Sequence, residues 1–216
     1  HNLKQEMRLI SLSKDLAESK QEVENYIKKK INSSNFTNYL AALESAQEFN
    51  MMIKLSYKYP SEDYYKYPRG FIHNIKIHSK NHNLDANLLL ALIREESLFD
   101  PNAISHVGAK GLTQLMDYTG KRIKKDLNLD SNSNLFDPEL NIQIGTYYFA
   151  GLMKEFDNNI FRALAAYNGG PNNVKKWLTR FDGLEDDEFV ESIPFKETHG
   201  YVKRVLRSYF YYKFDS

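Results

Sequence analysis

Apolar residues recur at helical spacing along almost the whole chain, and no stretch alternates in the manner of a β-strand. Two such runs come first, over residues 1–32 and 36–57, with the polar break Asn32-Ser33-Ser34-Asn35 between them. Their apolar positions are Leu3, Met7, Ile10, Leu16, Val23, Ile27 and Ile31, then Tyr39, Leu40, Leu43, Ala46, Phe49 and Ile53. Ser and Asn are favoured N-caps, so the break predicts the start of a second helix. We therefore expect an α-helical hairpin that packs on the rest of the chain.

A segment rich in tyrosine and proline follows the hairpin. Residues 57–68 contain two prolines and five tyrosines. Proline fixes φ and lacks a backbone donor, so we expect an extended linker here and not a helix. The predicted domains are therefore an N-terminal helical region with its linker at residues 1–67 and a second domain at residues 68–216.

The second domain is predicted to be a further series of helices. The segments with helical periodicity are residues 70–82, 86–99, 112–126, 138–156, 161–167, 174–181 and 198–214. Asp85 and Asp137 are suitable N-caps, and Pro138 is tolerated in a first helical turn. Loops are expected at residues 126–138 and at the acidic segment 182–190. The predicted fold class is all-α.

One carboxylate lies on the apolar face of a helix. The residues that share this face, at about 100° per residue, are Leu88, Leu89, Leu92, Ile93 and Phe99. Glu96 falls near the middle of the face, Glu95 at its edge, and Arg94 points the other way. A carboxyl on a buried face must find a partner or have its pKa raised. A raised pKa suits a general acid, whereas a Glu paired with an arginine would be purely structural.

Composition excludes several classes of protein. The formal net charge is +1, which argues against a dedicated nucleic-acid binder. The absence of cysteine excludes disulfides, thiolate metal sites and a cysteine nucleophile, and it fits an extracytoplasmic protein. No apolar run approaches the length that spans a bilayer. The chain begins at His1 and shows no signal peptide, so we expect a processed or trimmed product.

Two segments superficially suggest metal sites. His78 and His82 have the i, i+4 spacing of a zinc site, but no third ligand is evident. The segment containing Asp130, Asn132 and Asn134 suggests a calcium loop, yet Leu135 stands where the loop needs glycine. A bidentate Glu is also missing, since Asn141 takes its position. We therefore expect neither a metal nor another cofactor.

Four blocks of sequence resemble a known enzyme family. They are Glu96-Ser97 with the downstream Ser105, Gly108-Ala109-Lys110-Gly111 followed by Leu112-Thr113-Gln114-Leu115-Met116, Ala166-Tyr167-Asn168-Gly169-Gly170-Pro171, and Glu191-Ser192-Ile193-Pro194-Phe195-Lys196-Glu197-Thr198. In this order they closely resemble the transglycosylase domain of soluble lytic murein transglycosylases, over roughly residues 70–212. The resemblance implies a lysozyme-like fold, akin to goose-type lysozyme. Asp137, Asn141 and Gly145 also match the family pattern.

The resemblance implies cleavage of peptidoglycan without water. Most glycosidases use two carboxylates, whereas this family manages with one, which by position is Glu96. It protonates the oxygen that links N-acetylmuramic acid to N-acetylglucosamine, and it then takes a proton from the sugar's 6-hydroxyl, giving a 1,6-anhydromuramic end. The matching substrate-binding positions are Ser105, Gln114, Met116, Tyr167, Asn168 and Glu197. The implied partner is the peptidoglycan glycan strand, and the implied location is the periplasm or cell envelope.

Two alternatives stay open at this point. A lysozyme-like hydrolase would deliver water to the same bond and needs a second carboxylate, for which Asp100 and Glu197 are the candidates. A non-catalytic glycan-binding module of a cell-envelope assembly would not depend on Glu96. Membrane attachment and cell-envelope protein partners are also left open.

Three positions depart from the family pattern. Thr113 replaces a usual Met, Asp117 a common Pro, and Gly169 a common Ala. The departures at Thr113 and Asp117 put the fine substrate preference in doubt.

Overall fold

The computed structural model describes residues 17–59 and 63–214, without the side chains of residues 17–21 and 23. The predicted helical positions Leu3, Met7, Ile10 and Leu16 and the linker residue Pro60 lie outside the described residues. The chain divides into two compact units, His1–Gly70 and Phe71–Ser216. Each unit is helical, which confirms the all-α prediction. Among the described residues, no helix is long and apolar enough to cross a membrane.

The described residues of the first unit form three α-helices and a 3-10 helix. They are α1 (Ala17–Lys30), α2 (Phe36–Ser45), α3 (Phe49–Ser56) and the 3-10 helix Asp63–Lys66. Their common core consists of Ile27, Ile31, Tyr39, Leu40, Leu43, Met51, Met52 and Leu55. The second arm of the predicted hairpin is therefore two helices and not one. The backbone reverses at Gln47, whose φ of 58° is left-handed and interrupts the helix.

The predicted linker is also more ordered than expected. Tyr59 stacks on Phe36 with ring centroids 5.8 Å apart, and its hydroxyl donates to the Ile31 carbonyl at 3.2 Å. The segment then forms the 3-10 helix Asp63–Lys66. The aromatic rings of this segment pack on the core of the first unit, and this burial favours the folded arrangement over an extended chain.

The second unit contains eight α-helices among its described residues. They are α4 (Ile72–Asn81), α5 (Ala86–Ser97), α6 (Asp117–Asp126), α7 (Pro138–Glu155), α8 (Ile160–Gly169), α9 (Pro171–Arg180), α10 (Asp186–Glu191) and α11 (Lys196–Phe214). Helix α11 packs along α5 and α8, α7 packs against α4, α6 and α8, and α9 packs on α8. Strand-type pairing in the described part of the chain is limited to isolated bridges from Lys110 to Ile104 and Leu115.

Helix α5 is the central helix of this unit. Asp85 caps it as predicted, its carboxylate accepting from the Asn87 amide at 2.9 Å. Residues 88–93 are all buried, so the helix is enclosed on every side. It ends at Leu98, which is left-handed with φ 50°. Glu96 therefore lies in the last turn, where a helix emerging from the core meets the surrounding loops.

Two segments differ from their sequence-based predictions. The helix predicted over residues 112–126 begins only at Asp117. Lys110 exchanges backbone hydrogen bonds with Leu115, and Gln114 has a left-handed φ of 51°, so the preceding residues form a tight loop. The acidic segment predicted as a loop contains α10, whose buried Phe189 and Val190 hold it on the core. The acidic residues in its first turn also stabilise the helix, because they interact favourably with the positive end of the helix dipole.

Candidate active site

A cleft of about 640 Å³ opens at the end of α5. Its volume lies within the roughly 300–1,000 Å³ that is usual for ligand sites. The residues predicted for the site all line it: Glu96, Ser105, Gln114, Met116, Tyr167, Asn168 and Glu197. They come from three helices and the loop before α6, so folding collects positions that are up to a hundred residues apart.

Glu96 is a half-buried carboxyl in the wall of the cleft. The Tyr201 hydroxyl, on α11, donates to Glu96 Oε1 at 2.6 Å. Burial raises the pKa of Glu96 to about 8, and the nearby charge of Glu95 adds to the rise, whereas the hydrogen bond from Tyr201 opposes it. Loss of water around the carboxyl disfavours the ionised form of Glu96 more than the hydrogen bond from the Tyr201 phenol stabilises it. Glu96 is therefore largely protonated at neutral pH, and it lines an open cleft.

Glu95 lies beside Glu96 but is tied to cations. It pairs with Arg94 and with Arg204 Nε at 3.5 Å, and it accepts from the Ser208 hydroxyl at 2.7 Å. The helical wheel placed Arg94 on the far side, yet its side chain is buried against Glu95. A buried charge has to be paired, so the two arginines allow a second carboxylate to lie next to the acid.

Asn141 on α7 anchors the loop that borders the cleft. It is fully buried, and its Oδ1 accepts from the amide and the hydroxyl of Thr113 at 2.8 and 2.7 Å. Its Nδ2 donates to the carbonyls of Lys110 and Leu135 at 3.0 and 2.7 Å. The Thr113 carbonyl in turn accepts from the Tyr167 hydroxyl at 2.7 Å, which fixes that ring in the cleft.

We expect Asn141→Ala to lower the free energy of unfolding of this unit by about 3 kcal/mol, because it strands several buried backbone groups. Urea denaturation followed by fluorescence of Trp177, the only tryptophan, measures the loss. Asn172→Ala, at an exposed position of α9, is the matched control and leaves stability unchanged. A loss below about 1 kcal/mol would mean that the loop does not depend on this side chain.

The loop residues Ser105, Gln114 and Met116 differ in how they are held. Ser105 Oγ accepts from the Ala109 amide at 3.0 Å, which leaves its hydroxyl hydrogen for another acceptor. The side-chain Nε2 of Gln114 donates to the Gly111 carbonyl at 2.8 Å. The backbone of Gln114 is left-handed, and such strain concentrates at functional sites. Met116 is 41% exposed and supplies an apolar surface.

Asn168 and Glu197 line the cleft from α8 and α11. Asn168 Oδ1 accepts from the Thr198 hydroxyl at 2.8 Å, so Asn168 joins α8 to the start of α11. Glu197 is exposed, and its charge contributes to the raised pKa of Glu96. Asp100 does not line the cleft, and its carboxylate accepts from the Asn102 amide at 3.0 Å.

Of the three departures from the family pattern, Gly169 lines the cleft, whereas Thr113 and Asp117 do not. Thr113 is buried and bonded to Asn141, and Asp117 pairs with Lys110 at 2.8 Å, so neither lines the cleft. A Cβ at Gly169 would lie 3.0 Å from Thr198 Oγ1, so alanine there would press on the contact between α8 and α11.

Sequence reasoning missed Tyr201 and Arg204, both of which line the cleft. The available signal was their spacing from Glu197, since Tyr201 lies one helical turn further along α11. No group of three or more His, Cys, Asp or Glu residues able to hold a metal ion occurs in residues 17–59 and 63–214. The carbonyls of the loop that suggested calcium accept from Lys124 instead.

The chain is similar to known enzymes over this unit. The family model for the transglycosylase SLT domain matches residues 73–190, more than half of the chain. A soluble lytic murein transglycosylase of Escherichia coli is 39% identical over 69% of this chain and 24% of its own length. A membrane-bound lytic murein transglycosylase C of Sodalis glossinidius is 31% identical over 59% of this chain and 42% of its own length.

Solved structures give the same result. The 70 kDa soluble lytic transglycosylase of Escherichia coli matches all of this chain with a TM-score of 0.87 and 28% identity, over 36% of its own length. Its complex with bulgecin A matches 97% of this chain with a TM-score of 0.86 and 28% identity, over 35% of its own length. The chain thus spans about a quarter to two fifths of these relatives. These matches confirm the lysozyme-like transglycosylase fold, and the chain belongs to the transglycosylase SLT domain family.

Proposed function

We propose that this chain carries the catalytic domain of a lytic transglycosylase that cleaves the β-1,4 bond between N-acetylmuramic acid and N-acetylglucosamine in peptidoglycan. The observation that carries the proposal is Glu96, a carboxyl with its pKa raised to about 8 in the wall of a cleft. The named activity of the relatives supports it, as does the binding of bulgecin A by one of them. Since peptidoglycan lies outside the cytoplasm, we place the protein in the periplasm or cell envelope.

The first step is protonation of the leaving group. With its pKa raised to about 8, Glu96 is largely protonated at neutral pH and can donate to the glycosidic oxygen. The carbon–oxygen bond of the muramic sugar breaks, the N-acetylglucosamine leaves with the proton, and the anomeric carbon becomes electron-deficient. The substrate's own N-acetyl group stabilises that carbon in place of a second carboxylate.

In the second step Glu96 acts as a base. The carboxylate left by the first step takes the proton of the 6-hydroxyl, and the oxygen closes on the anomeric carbon to form the 1,6-anhydro ring. The high pKa makes the carboxylate a good proton acceptor, and the step regenerates the acid. Because the nucleophile is the sugar's own 6-hydroxyl, no water has to be activated by a second carboxylate. The cycle therefore needs a single carboxyl group.

The other cleft residues bind and orient the sugar. Ser105 has a hydroxyl hydrogen for the N-acetyl group, and Tyr167 is fixed by its bond to Thr113, with an oxygen that can still accept. Gln114 and Met116 contact the glycan from the loop. Glu197 is an acceptor for sugar hydroxyls, and Asn168 holds the start of α11, which carries Glu197, through its bond from Thr198.

Hydrolysis of the same bond is the second candidate, because Glu197 puts another carboxylate in the cleft. Digestion of purified sacculi in ¹⁸O-labelled water separates the two reactions by mass spectrometry. Transglycosylation gives unlabelled 1,6-anhydromuropeptides, lighter by one water than the hydrolysis products. Reducing muropeptides with one ¹⁸O would establish a hydrolase. If the sacculi bind the protein but stay intact, the chain is a glycan-binding module.

Tyr201→Phe tests how the acid is positioned. Because a hydrogen bond to a charged group contributes about 1.5–3 kcal/mol, we expect kcat to fall roughly 10- to 100-fold. The bond stabilises the Glu96 carboxylate, so its loss should also raise the pKa of Glu96 and move the rate profile to higher pH. Tyr209→Phe is the matched control, since Tyr209 donates to Asp85 at 2.8 Å outside the cleft. Equal kcat and an unmoved profile in both variants would exclude this role.

A further inference from the structure

A second cavity lies across the loop from the cleft. It has a volume of about 270 Å³ and is lined by Lys110, Asp117, Lys121, Lys124 and residues 131–136. We call it the lysine pocket. Ala109 and Met116 line the cleft, whereas the residues that follow them, Lys110 and Asp117, line the lysine pocket. A ligand in this pocket would therefore lie beside a polymer in the cleft, with only the loop between them.

The lysine pocket has an excess of positive charge. Lys110 Nζ pairs with Asp117 at 2.8 Å, and this hydrogen bond lowers the pKa of the Asp117 carboxyl. The charges of Lys121 and Lys124 lower that pKa further. All three ammonium groups are therefore close enough to Asp117 to affect its ionisation. One carboxylate against three lysines leaves two positive charges in excess.

Lys124 is the unusual member of this group. The residue is only 5% exposed, and its Nζ donates to the carbonyls of Ser131 and Ser133. An ammonium has three donors, so one remains for a further acceptor. Among the described residues, no carboxylate lies within ion-pair distance of Lys124. A buried charge held only by carbonyls favours an anionic partner.

We propose that the lysine pocket binds a free carboxylate of the peptide stem on a glycan strand lying in the cleft. This inference rests on the proposed function, which supplies a substrate with carboxylate-bearing peptides. Lys121 and Lys124 provide the charge, and the polar side chains of residues 131–134 can bond to peptide groups. The volume falls just below the roughly 300 Å³ of the smallest usual ligand sites, which suits one acidic residue better than a sugar.

An NMR titration with a synthetic stem tetrapeptide tests the proposal. We expect the free-acid peptide to shift the amide signals of Lys121, Lys124 and residues 131–136, and the fully amidated peptide to leave them in place. Lys121→Gln should weaken binding roughly three- to fivefold, the size of one exposed charge pair. Lys125→Gln, an exposed lysine outside the lining, should not change it. Rising salt should weaken the binding, because it screens the charge.

Three results would overturn the proposal. The first is equal binding of the amidated and the free-acid peptide, and the second is no shift of the amide signals with either peptide. The third is a shift with inorganic phosphate but not with the free-acid peptide, which would make this a phosphate site. The tetrapeptide has no glycosidic bond, so its failure to bind would leave the proposed cleavage untouched. Conversely, loss of the cleavage activity would not affect this binding measurement.

Discussion

Glu96→Gln is expected to lower kcat on peptidoglycan by roughly 10⁴-fold, the upper end of what one general acid–base group contributes. The loss is this large because the same carboxyl acts in both chemical steps, and an amide can neither donate the proton nor accept the second one. Release of soluble muropeptides from purified sacculi, followed by mass spectrometry, measures it. Glu188→Gln, at an exposed position of α10 outside the cleft, is the control and should retain full activity.

Glu197→Gln separates this expectation from a two-carboxylate mechanism. If Glu197 only accepts hydrogen bonds from sugar hydroxyls, glutamine keeps an acceptor, and kcat/KM should fall less than about tenfold, the size of one hydrogen bond. A loss as large as that of Glu96→Gln would mean that Glu197 holds a water or stabilises charge in the transition state. That result would favour hydrolysis.

The second large effect concerns stability and needs no substrate. The pKa of Glu96 rises from 4.5 to about 8 on folding, so the folded state keeps a proton that the unfolded chain loses near pH 4.5. The folded state therefore loses stability as the pH rises from about 4.5 to about 8. Glutamine does not titrate. We expect Glu96→Gln to match the wild type at pH 4 and to exceed it above pH 8 by about 3 kcal/mol, discounted for the opening to the cleft.

Thermal unfolding at several pH values measures this difference. A gain of that size corresponds to roughly 6–12 °C in Tm for a chain of this length. Glu22→Gln, at an exposed position of α1 outside the cleft, is the control here and should follow the wild type at every pH. Parallel curves for Glu96→Gln and the wild type between pH 4 and 9 would show that Glu96 titrates normally in the folded state.

Much of the fold could be predicted from the sequence, because the strongest sequence signals report local structure. Helical periodicity and the caps at Asp85 and Asp137 predicted α5 and α7, and both carboxylates accept from the backbone as expected. The site was predictable for another reason. Glu96 is a charged residue on an apolar helical face, and the family resemblance supplied the positions around it, all of which line one cleft.

The missed features depend on contacts between distant residues. Periodicity cannot show that Tyr201 reaches Glu96, which is 105 residues away, or that Arg94 turns inward to meet Glu95. The loop before α6 looked helical because its apolar residues suit a helix, but the bonds from Asn141 across 28 residues favour a turn. The left-handed Gln47 likewise divides a run whose pattern is continuous.

Carbon-13 NMR of the Glu96 side-chain carboxyl, followed from pH 3 to 10 and assigned by its loss in Glu96→Gln, measures the property on which the mechanism depends. The predicted result is a midpoint near pH 8, which moves upward in Tyr201→Phe. A midpoint near 4.5, the ordinary value for glutamate, would mean that Glu96 is already ionised at neutral pH and cannot be the proton donor.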